Sequence, residues 1–399
     1  MGLGAFGGGE GVAAWLLEQD AIVTITDLRT ESALARPLDR LDTDRCRLVL
    51  GRHDEADFAQ ADLVIVNPAV PRPWENPLLQ VARKAQVPLS SEIRLLVERV
   101  DRTRCIGITG TNGKSTTAAM TSHLLCEAGI DARLGGNIGG SLLGELDSIN
   151  EQTWLVLELS SAQLYWLDQS PSWSPSIAGI TNIAANHLDW HGDENHYRHC
   201  KGVVHRHQLE KERCIRGETC PDFAGSLRLP GTHNLLNAAM AVSLAQAVDP
   251  TIDGSTLSSF RGLPHRLCPL GDTSPPRFFD DSKSTTPEAT LLAVASFSEP
   301  ARIHLIAGGY DKGVSLAPIS ALGGTLAGLY TIGDTGEMIA RDAGDAAESC
   351  GTLDRAVHRA IERMNDGDVL LLSPGCASWD QFADFRERGM AFASLVSNC

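Results

Sequence analysis

Six short stretches of this chain are apolar at nearly every position: AIVTIT at 21–26, LVIV at 63–66, CIGIT at 105–109, WLVL at 154–157, IHLIA at 303–307 and VLLL at 369–372. A strand with one wet face alternates apolar and polar residues. A stretch that is apolar throughout suits a strand covered on both faces, which is the situation in a parallel sheet flanked by helices. The segments between these stretches carry helical patterns, so the chain reads as strand–helix alternation, an α/β fold. No fixed-period repeat and no low-complexity tract interrupts it. A length of 399 residues accommodates two or three domains of common size. Three segments are expected: 1–91, a small α/β unit; 92–261, which opens on a second strand, glycine loop and helix; and 262–399, which follows GLPHR at 262–266.

Charge excludes one class of function. With 34 basic against 50 acidic residues the net charge is −16, the wrong sign for non-specific nucleic-acid binding, which needs clustered Lys and Arg. No apolar run approaches the ~20 residues of a membrane helix. The start, MGLGAFGGGEG, has neither the basic nor the apolar region of a secretory signal. The ten Cys show no repeated short spacing and read as reduced thiols, so a cytoplasmic protein without membrane or nucleic-acid partners is expected.

The sharpest chemical signal is CIGITGTNGKSTT at 105–117. An apolar strand runs into Gly110, Thr111, Asn112, Gly113, Lys114, Ser115 and Thr116. A helix is expected next, with Ala118, Thr121, Leu124, Leu125 and Ala128 on one face and Gly129 as its stop. This is the context of a P-loop. Backbone N–H groups at the helix start cradle phosphate oxygens, a Lys neutralises the terminal phosphates, and a hydroxyl reaches Mg²⁺. One position departs: the usual G-x-x-x-x-G-K-[ST] pattern places Gly where this chain has Ile108.

Weaker signals surround it. WLVLELSSAQL at 154–164 ends a strand in Glu158, where a carboxylate beside a P-loop can serve a second Mg²⁺, although a solvated strand-end Glu is the blander reading. The segment 181–201 holds His187, His191, His196 and His199. Its spacing matches no standard zinc motif, and a polar surface loop is the alternative. FFDDSKSTTP at 278–287, LIAGGYDKG at 305–313 and LLLSPGCASWDQFADFRERG at 370–389 each follow a strand; the last is expected to continue into a helix carrying Phe382, Phe385 and Arg388. Ligands of open α/β sheets bind beyond the carboxyl ends of strands, so these three loops should face one crevice. At the start, Gly2, Gly4 and Gly7 with Asp27 twenty residues later form a dinucleotide-type fingerprint, but the motif asks for a preceding strand and only Met1 precedes it. Either the true start lies upstream or this domain lacks its first strand.

Taken together, these motifs resemble the Mur ligases, over nearly the whole chain and in order. The pieces that carry the resemblance are TGTNGKST at 109–116, GGNIG at 135–139, LELSSAQL at 157–164, NHLDWH at 186–191, GTHNLLNAAMA at 231–241, LPHR at 263–266, DDSKSTTP at 280–287, GGYDKG at 308–313 and SPGCASWDQFADFRERG at 373–389. The last, with LELSS, looks like the branch that adds D-glutamate. The resemblance implies an α/β three-domain architecture: a Rossmann-like N-terminal domain, a P-loop central ATPase domain and a Rossmann-like C-terminal domain. It implies ATP-dependent joining of D-glutamate to UDP-N-acetylmuramoyl-L-alanine through an acyl phosphate, with ATP and two Mg²⁺ as cofactors, by a monomer.

Residue roles follow from the same resemblance. Gly110 to Thr116 would hold the ATP phosphates, with Lys114 and Ser115 as the phosphate and first-metal groups. Glu158 and His187 look like second-metal ligands. Lys201 aligns with a lysine that becomes carbamylated, which turns a cation into an anionic oxygen ligand. Asn234, Asn237, Arg266 and Asp281 resemble adenosine contacts. Lys283, Thr285, Lys312, Ser378 and Phe385 match D-glutamate positions, Asn137 and Gln163 match contacts to the muramoyl-alanyl part, and Asp27, Arg29 and Asn67 resemble a uridine diphosphate pocket. The glycine turn would then serve UDP rather than NAD.

Some positions leave the family pattern. Only 29 residues separate Lys201 from Gly231, where several dozen more are usual, so the central domain reads as shortened. Leu267 and Cys268 follow LPHR in place of an acidic position, Ala162 replaces an aromatic, and Trp379 stands where a smaller apolar residue is usual. The alternatives are another Mur-type or folylpolyglutamate-type amino-acid ligase, or a non-catalytic nucleotide-binding relic.

Overall fold

The structure, a computed structural model, describes residues 1–4, 7–169, 171–271 and 277–397. Two compact units emerge: Met1–Asp222 with Leu236–Gly254, and Phe223–Leu235 with Ser255–Cys399.

The first unit is organised by a five-stranded, all-parallel sheet in the order Ala132–Gly136, Trp154–Glu158, Cys105–Thr109, Ile177–Ile180, Arg213–Arg216. Every residue of the strands Cys105–Thr109, Trp154–Glu158 and Ile177–Ile180 is buried, as apolar runs covered on both faces require. Ile106 and Ile108 are fully buried, and cutting either to Ala should cost about 2–5 kcal/mol. Cys105–Thr109 lies at the centre, and the chain crosses to one side of it for Ala132–Gly136 and to the other for Ile177–Ile180. The carboxyl end of that strand is therefore a topological switch point, the place where such sheets take ligands.

The helix Lys114–Glu127 follows directly. Its face is broader than the sequence pattern predicts: Thr117, Ala119, Met120 and Ser122 are buried along with Ala118, Thr121, Leu124 and Leu125, whereas Ala128 is exposed. The central position of the strand explains this, since a helix covering a sheet centre is enclosed on its flanks as well.

Residues 1–91 pair their strands two by two, Val23–Asp27 with Cys46–Leu50 and Val64–Ile65 with Leu89–Ser90, all parallel. The first strand runs Val23–Asp27 rather than 21–26, because Ile22 points fully into solvent. Among the described residues no regular strand precedes it, yet Met1 and Gly2 lie between the two pairs. The Met1 ammonium donates to the Ile65 carbonyl (2.8 Å), Asn67 N–H to the Met1 carbonyl (3.0 Å), and Gly2 N–H to the Thr26 carbonyl (2.8 Å). The helix Gly8–Glu18 begins immediately after Gly7. This region packs on Trp166 of the helix Ser161–Leu167, which shares an apolar cluster with Phe58, Val64 and Leu79, and the next helix, Glu92–Val97, is anchored in turn: Arg94, buried, donates to the Trp166 carbonyl (3.1 Å) and pairs with Glu98, while the Ser141 hydroxyl donates to buried Glu92 (2.6 Å).

The second unit carries a six-stranded sheet ordered Cys268–Leu270, Phe278–Asp280, Val369–Leu372, Ile303–Gly308, Gly328–Ile332, Ala347–Gly351. Only the edge strand Cys268–Leu270 is antiparallel. Its two faces bury separate apolar layers, one around Leu305, Ile319 and Leu371 and one around Ile306, Tyr330 and Phe392. Among the described residues no helix is long and apolar enough to cross a membrane.

Candidate active site

The glycine turn after Cys105–Thr109 is fixed by its neighbours. Gly110 and Gly113 have φ of 145° and 81°, and a Cβ at either would collide, with Thr181 Oγ1 and with Asn237 Oδ1 respectively. Only glycine fits both the conformation and the space. The loop after Ile177–Ile180 braces the turn: Thr111 N–H donates to the Asn182 carbonyl (2.8 Å), Asn112 N–H to Asn182 Oδ1 (3.0 Å), and the Thr181 hydroxyl to the Asn112 carbonyl (2.6 Å). Thr111 Oγ1 also meets the Tyr197 hydroxyl at 2.9 Å. Lys114, the first helical residue, folds back so that Nζ donates to the Thr111 carbonyl (2.7 Å), and Ser115 is buried behind it. Thr116 follows on the first turn of that helix. A helix N-terminus with exposed N–H dipoles and a lysine at its mouth favours a polyphosphate. Asn237 reaches this turn from the helix Thr232–Gln246, its Oδ1 3.4 Å from Thr117 Oγ1.

Around the turn stand the other charged residues expected from the sequence. Glu158 ends its strand 1% exposed; Asn137 Nδ2 donates to Oε1 (3.0 Å), while Oε2 is buried without a hydrogen-bond partner. Lys201, 2% exposed on the helix Glu194–Arg206, has one hydrogen bond, to Thr109 Oγ1 (3.0 Å), with Nζ 5.5 Å from the Tyr197 ring centre. Burial first, then the Lys114 charge, depress its pKa to about 7 against the pull of Glu158. His187 sits at φ 52° ahead of the short helix Leu188–His191, and burial together with the charges of Lys201 and Lys114 lowers its pKa, with Asp189 opposing. The structure thus brings Lys114, Glu158, His187 and Lys201 into one electrostatic neighbourhood. Glu158 is not the solvated strand end of the blander reading.

Gln163 lies at the start of the helix Ser161–Leu167. It closes a capping box, its Oε1 accepting from Ser160 N–H (3.0 Å) while Ser160 Oγ accepts from Gln163 N–H (3.1 Å). At the N-terminal glycine turn, Asn67 Nδ2 donates to the Gly2 carbonyl (3.1 Å) and Arg29 pairs with buried Asp27 (3.0 Å). Burial raises the Asp27 pKa, but the Arg29 hydrogen bonds outweigh it and the net shift is downward.

In the second unit the three strand-end loops do converge. Lys312 Nζ donates to the Thr285 carbonyl (3.1 Å) and lies 5.6 Å from the Trp379 ring centre; Lys283 Nζ lies 5.3 Å from that of Phe385. Ser378 is buried and its carbonyl accepts from Phe382 N–H (2.7 Å). The final helix starts at Phe385, so Phe382 belongs to the preceding turn rather than to the expected helix face. Asp281 accepts from Leu267 N–H (3.0 Å) and the Ser284 and Ser373 hydroxyls, and burial raises its pKa to about 6. Asn234 donates to the Pro230 carbonyl (2.7 Å), and Arg266 is exposed.

Three positions carry geometry for which the sequence assigned them no role. Thr109 holds Lys201, Asn182 braces the glycine turn, and Arg388, 1% exposed, donates to Ser282 Oγ and to the carbonyls of Ser282, Cys376 and Ala377. Arg388 ties the DDSKS loop to the SPGCAS loop. The one available signal was a lone Arg on the apolar face of the last helix.

Family comparison agrees with this architecture. The Mur ligase middle domain matches residues 108–224, the MurD-like N-terminal domain residues 1–91, and the Mur ligase glutamate ligase domain residues 265–376. The chain belongs to the Mur ligase family, with its N-terminal, middle and C-terminal domains. Relatives named UDP-N-acetylmuramoylalanine–D-glutamate ligase include those of Geobacter metallireducens, 34% identical over 437 aligned residues with 98% of this chain and 95% of that one covered, and Trichlorobacter lovleyi, 35% identical with 96% and 95% covered. The 437 aligned positions exceed the 399 residues here, so the Geobacter relative carries at least 437 − 399 = 38 positions that this chain lacks. In fold the chain is similar to the UDP-N-acetylmuramate–alanine ligase MurC of Thermotoga maritima, with a TM-score of 0.56 at 20% identity, covering 97% of this chain and 96% of that one.

Proposed function

We infer that this chain is an ATP-dependent ligase that joins D-glutamate to UDP-N-acetylmuramoyl-L-alanine in peptidoglycan precursor synthesis (EC 6.3.2.9), acting in the cytoplasm as a monomer. The naming of its full-length relatives supports the substrate pair. The observation that carries the chemistry is the buried cluster beside the glycine turn. Glu158 keeps one carboxylate oxygen without a partner at 1% exposure, a cost of about 1–3 kcal/mol that a cation would relieve. The donor set fits Mg²⁺: Ser115 beside the phosphates, and Glu158, His187 and a carbamylated Lys201 for a second ion. Bound there, Mg²⁺ screens phosphate charge from the approaching carboxylate.

The chain's own residues do the rest. The turn Gly110 to Thr116, through its N–H groups at the helix start, and the Lys114 ammonium hold the ATP phosphates, and Asn234, Asn237, Arg266 and Asp281 serve the nucleoside. The L-alanyl carboxylate oxygen attacks the γ-phosphorus, and the bond to ADP breaks. Asn137 and Gln163 position that acid, while Asp27, Arg29 and Asn67 hold its uridine diphosphate. Lys283, Thr285, Lys312, Ser378 and Phe385 hold D-glutamate, Lys312 pairing with a carboxylate. Its amine attacks the acyl carbon, loses a proton, and phosphate leaves with the former carboxylate oxygen. With a pKa near 7, Lys201 is substantially neutral at physiological pH. A neutral amine adds CO₂ and releases a proton to become the anionic ligand. The domains are taken as 1–91 for UDP, 92–261 for ATP and 262–399 for the amino acid.

Phosphate release tests this reading. The purified chain should release phosphate from ATP only when both D-glutamate and UDP-N-acetylmuramoyl-L-alanine are present. Faster turnover with another amino acid overturns the specificity; ATP binding without release overturns the activity.

A further inference from the structure

The segment 181–201 holds a second cluster that the ligase chemistry does not use. His191 is 2% exposed at the end of the helix Leu188–His191. Its Nδ1 lies 3.0 Å from Nδ1 of His196, and Nε2 of His196 lies 3.8 Å from Sγ of Cys200, itself 1% exposed. One donor atom from each residue falls within 4.8 Å of the other two. His196 and Cys200 are one helical turn apart on Glu194–Arg206, so they share a face.

We propose that His191, His196 and Cys200 bind one zinc-class ion, a site of two imidazole nitrogens and one thiolate with a fourth position open to solvent. Three features support it. First, His191 Nε2 lies 2.9 Å from Ser161 Oγ. With that nitrogen as donor, the tautomer is fixed and the lone pair of Nδ1 is turned to His196, the way an outer hydrogen bond orients a metal-binding imidazole. Second, the separations suit the bonds. Two Zn–N bonds of about 2.0–2.1 Å close across 3.0 Å, and at a tetrahedral angle a Zn–N and a Zn–S bond span roughly 3.5 Å. The three donor atoms lie within 4.8 Å of one another, so a side-chain adjustment of about an ångström by Cys200 completes the set. Third, the donors are soft to borderline, unlike the oxygen-rich set around Glu158, so the two clusters select different metals.

The surroundings are dry on one side and open on the other. The Trp190 ring lies 4.5 Å from that of His191 and the Trp74 ring 4.4 Å from that of His196, whereas His196 itself is partly exposed and gives an entry path. Binding is an exchange without redox change. His196 moves its proton from Nδ1 to Nε2, the Cys200 thiol proton passes to solvent, and the two nitrogens and the sulfur bond to the ion. The spacing His-x₄-His-x₃-Cys is not a standard zinc signature, which is why the sequence alone pointed away from it.

Cobalt(II) reports such a site directly. The reduced full-length chain, held in millimolar Mg²⁺ to occupy oxygen sites, is titrated with Co²⁺. One equivalent should produce a thiolate-to-cobalt charge-transfer band and quench Trp fluorescence, and Zn²⁺ should abolish the band by displacement. Cys200→Ala should lose the band. His196→Gln, at a partly exposed position, should weaken Co²⁺ binding at least tenfold with the far-UV circular dichroism unchanged, and keeps the test valid if the Cys200 variant does not fold. No band in the wild type, or a band unchanged in these variants, overturns the proposal. The readout is independent of ligase turnover.

Discussion

The two units each bury charge, and they do so on opposite plans. In the second unit Arg388 donates four hydrogen bonds and Asp281 accepts three, so both of these buried charges are answered within the fold. In the first unit, among the described residues, Lys201 has a single hydrogen bond and Glu158 an oxygen with none. Burial without partners is expensive, and a fold keeps it only where something else supplies the missing contacts. Arg388 is scaffolding that sets loop geometry; the unsatisfied centre is where the proposed reactants and metal would complete the structure.

Four substitutions would break or sharpen that contrast. Lys114→Ala should lower turnover by about 10³-fold or more, because phosphate neutralisation is lost, with the melting temperature little changed; retained turnover would remove Lys114 from the phosphate site. Lys201→Ala should lose about 10²-fold, partly restored by small carboxylic acids that replace the missing anion; full activity without them would remove its metal role. Arg388→Ala should behave in the opposite way, costing about 3–5 kcal/mol in denaturant unfolding because three carbonyls lose a buried donor. A stable variant that is merely inactive would place Arg388 with the reacting groups instead.

The fourth concerns Glu92, where burial raises the pKa to about 7, opposed by the Ser141 hydrogen bond. The folded state holds this proton more tightly than the unfolded chain, with its ordinary value near 4.5. Stability should therefore fall as pH rises from about 4.5 to 7, by about 3 kcal/mol in total. Glu92→Gln should remove that slope, so the variant gains on the parent as pH rises. Parallel stability curves over this window would contradict the burial of Glu92.

The sheets were legible in the sequence because strands covered on both faces cannot hide their composition: the runs at 105–109 and 369–372 coincide with Cys105–Thr109 and Val369–Leu372. The glycine turn was legible because φ and space leave no other residue at Gly110 and Gly113. What local pattern cannot encode is a contact across the chain. Thr109 and Lys201 are 92 residues apart, and Arg388 meets Ser282 across 106. Likewise Cys200, counted among scattered thiols, becomes a neighbour of His196 only once the helix Glu194–Arg206 is laid down. Gln163 shows the converse, a local contact that its spacing does encode. A residue at the third position of a helix is claimed locally by its cap.

Oxygen transfer tests the central claim most directly. UDP-N-acetylmuramoyl-L-alanine labelled with ¹⁸O in both carboxylate oxygens is turned over with ATP, Mg²⁺ and D-glutamate, and the inorganic phosphate is weighed by mass spectrometry. Activation of the acid at the Gly110–Ser115 turn predicts one ¹⁸O in each phosphate released, matched by one new amide bond. Unlabelled phosphate, or ATP cleavage without a lengthened peptide, would contradict it.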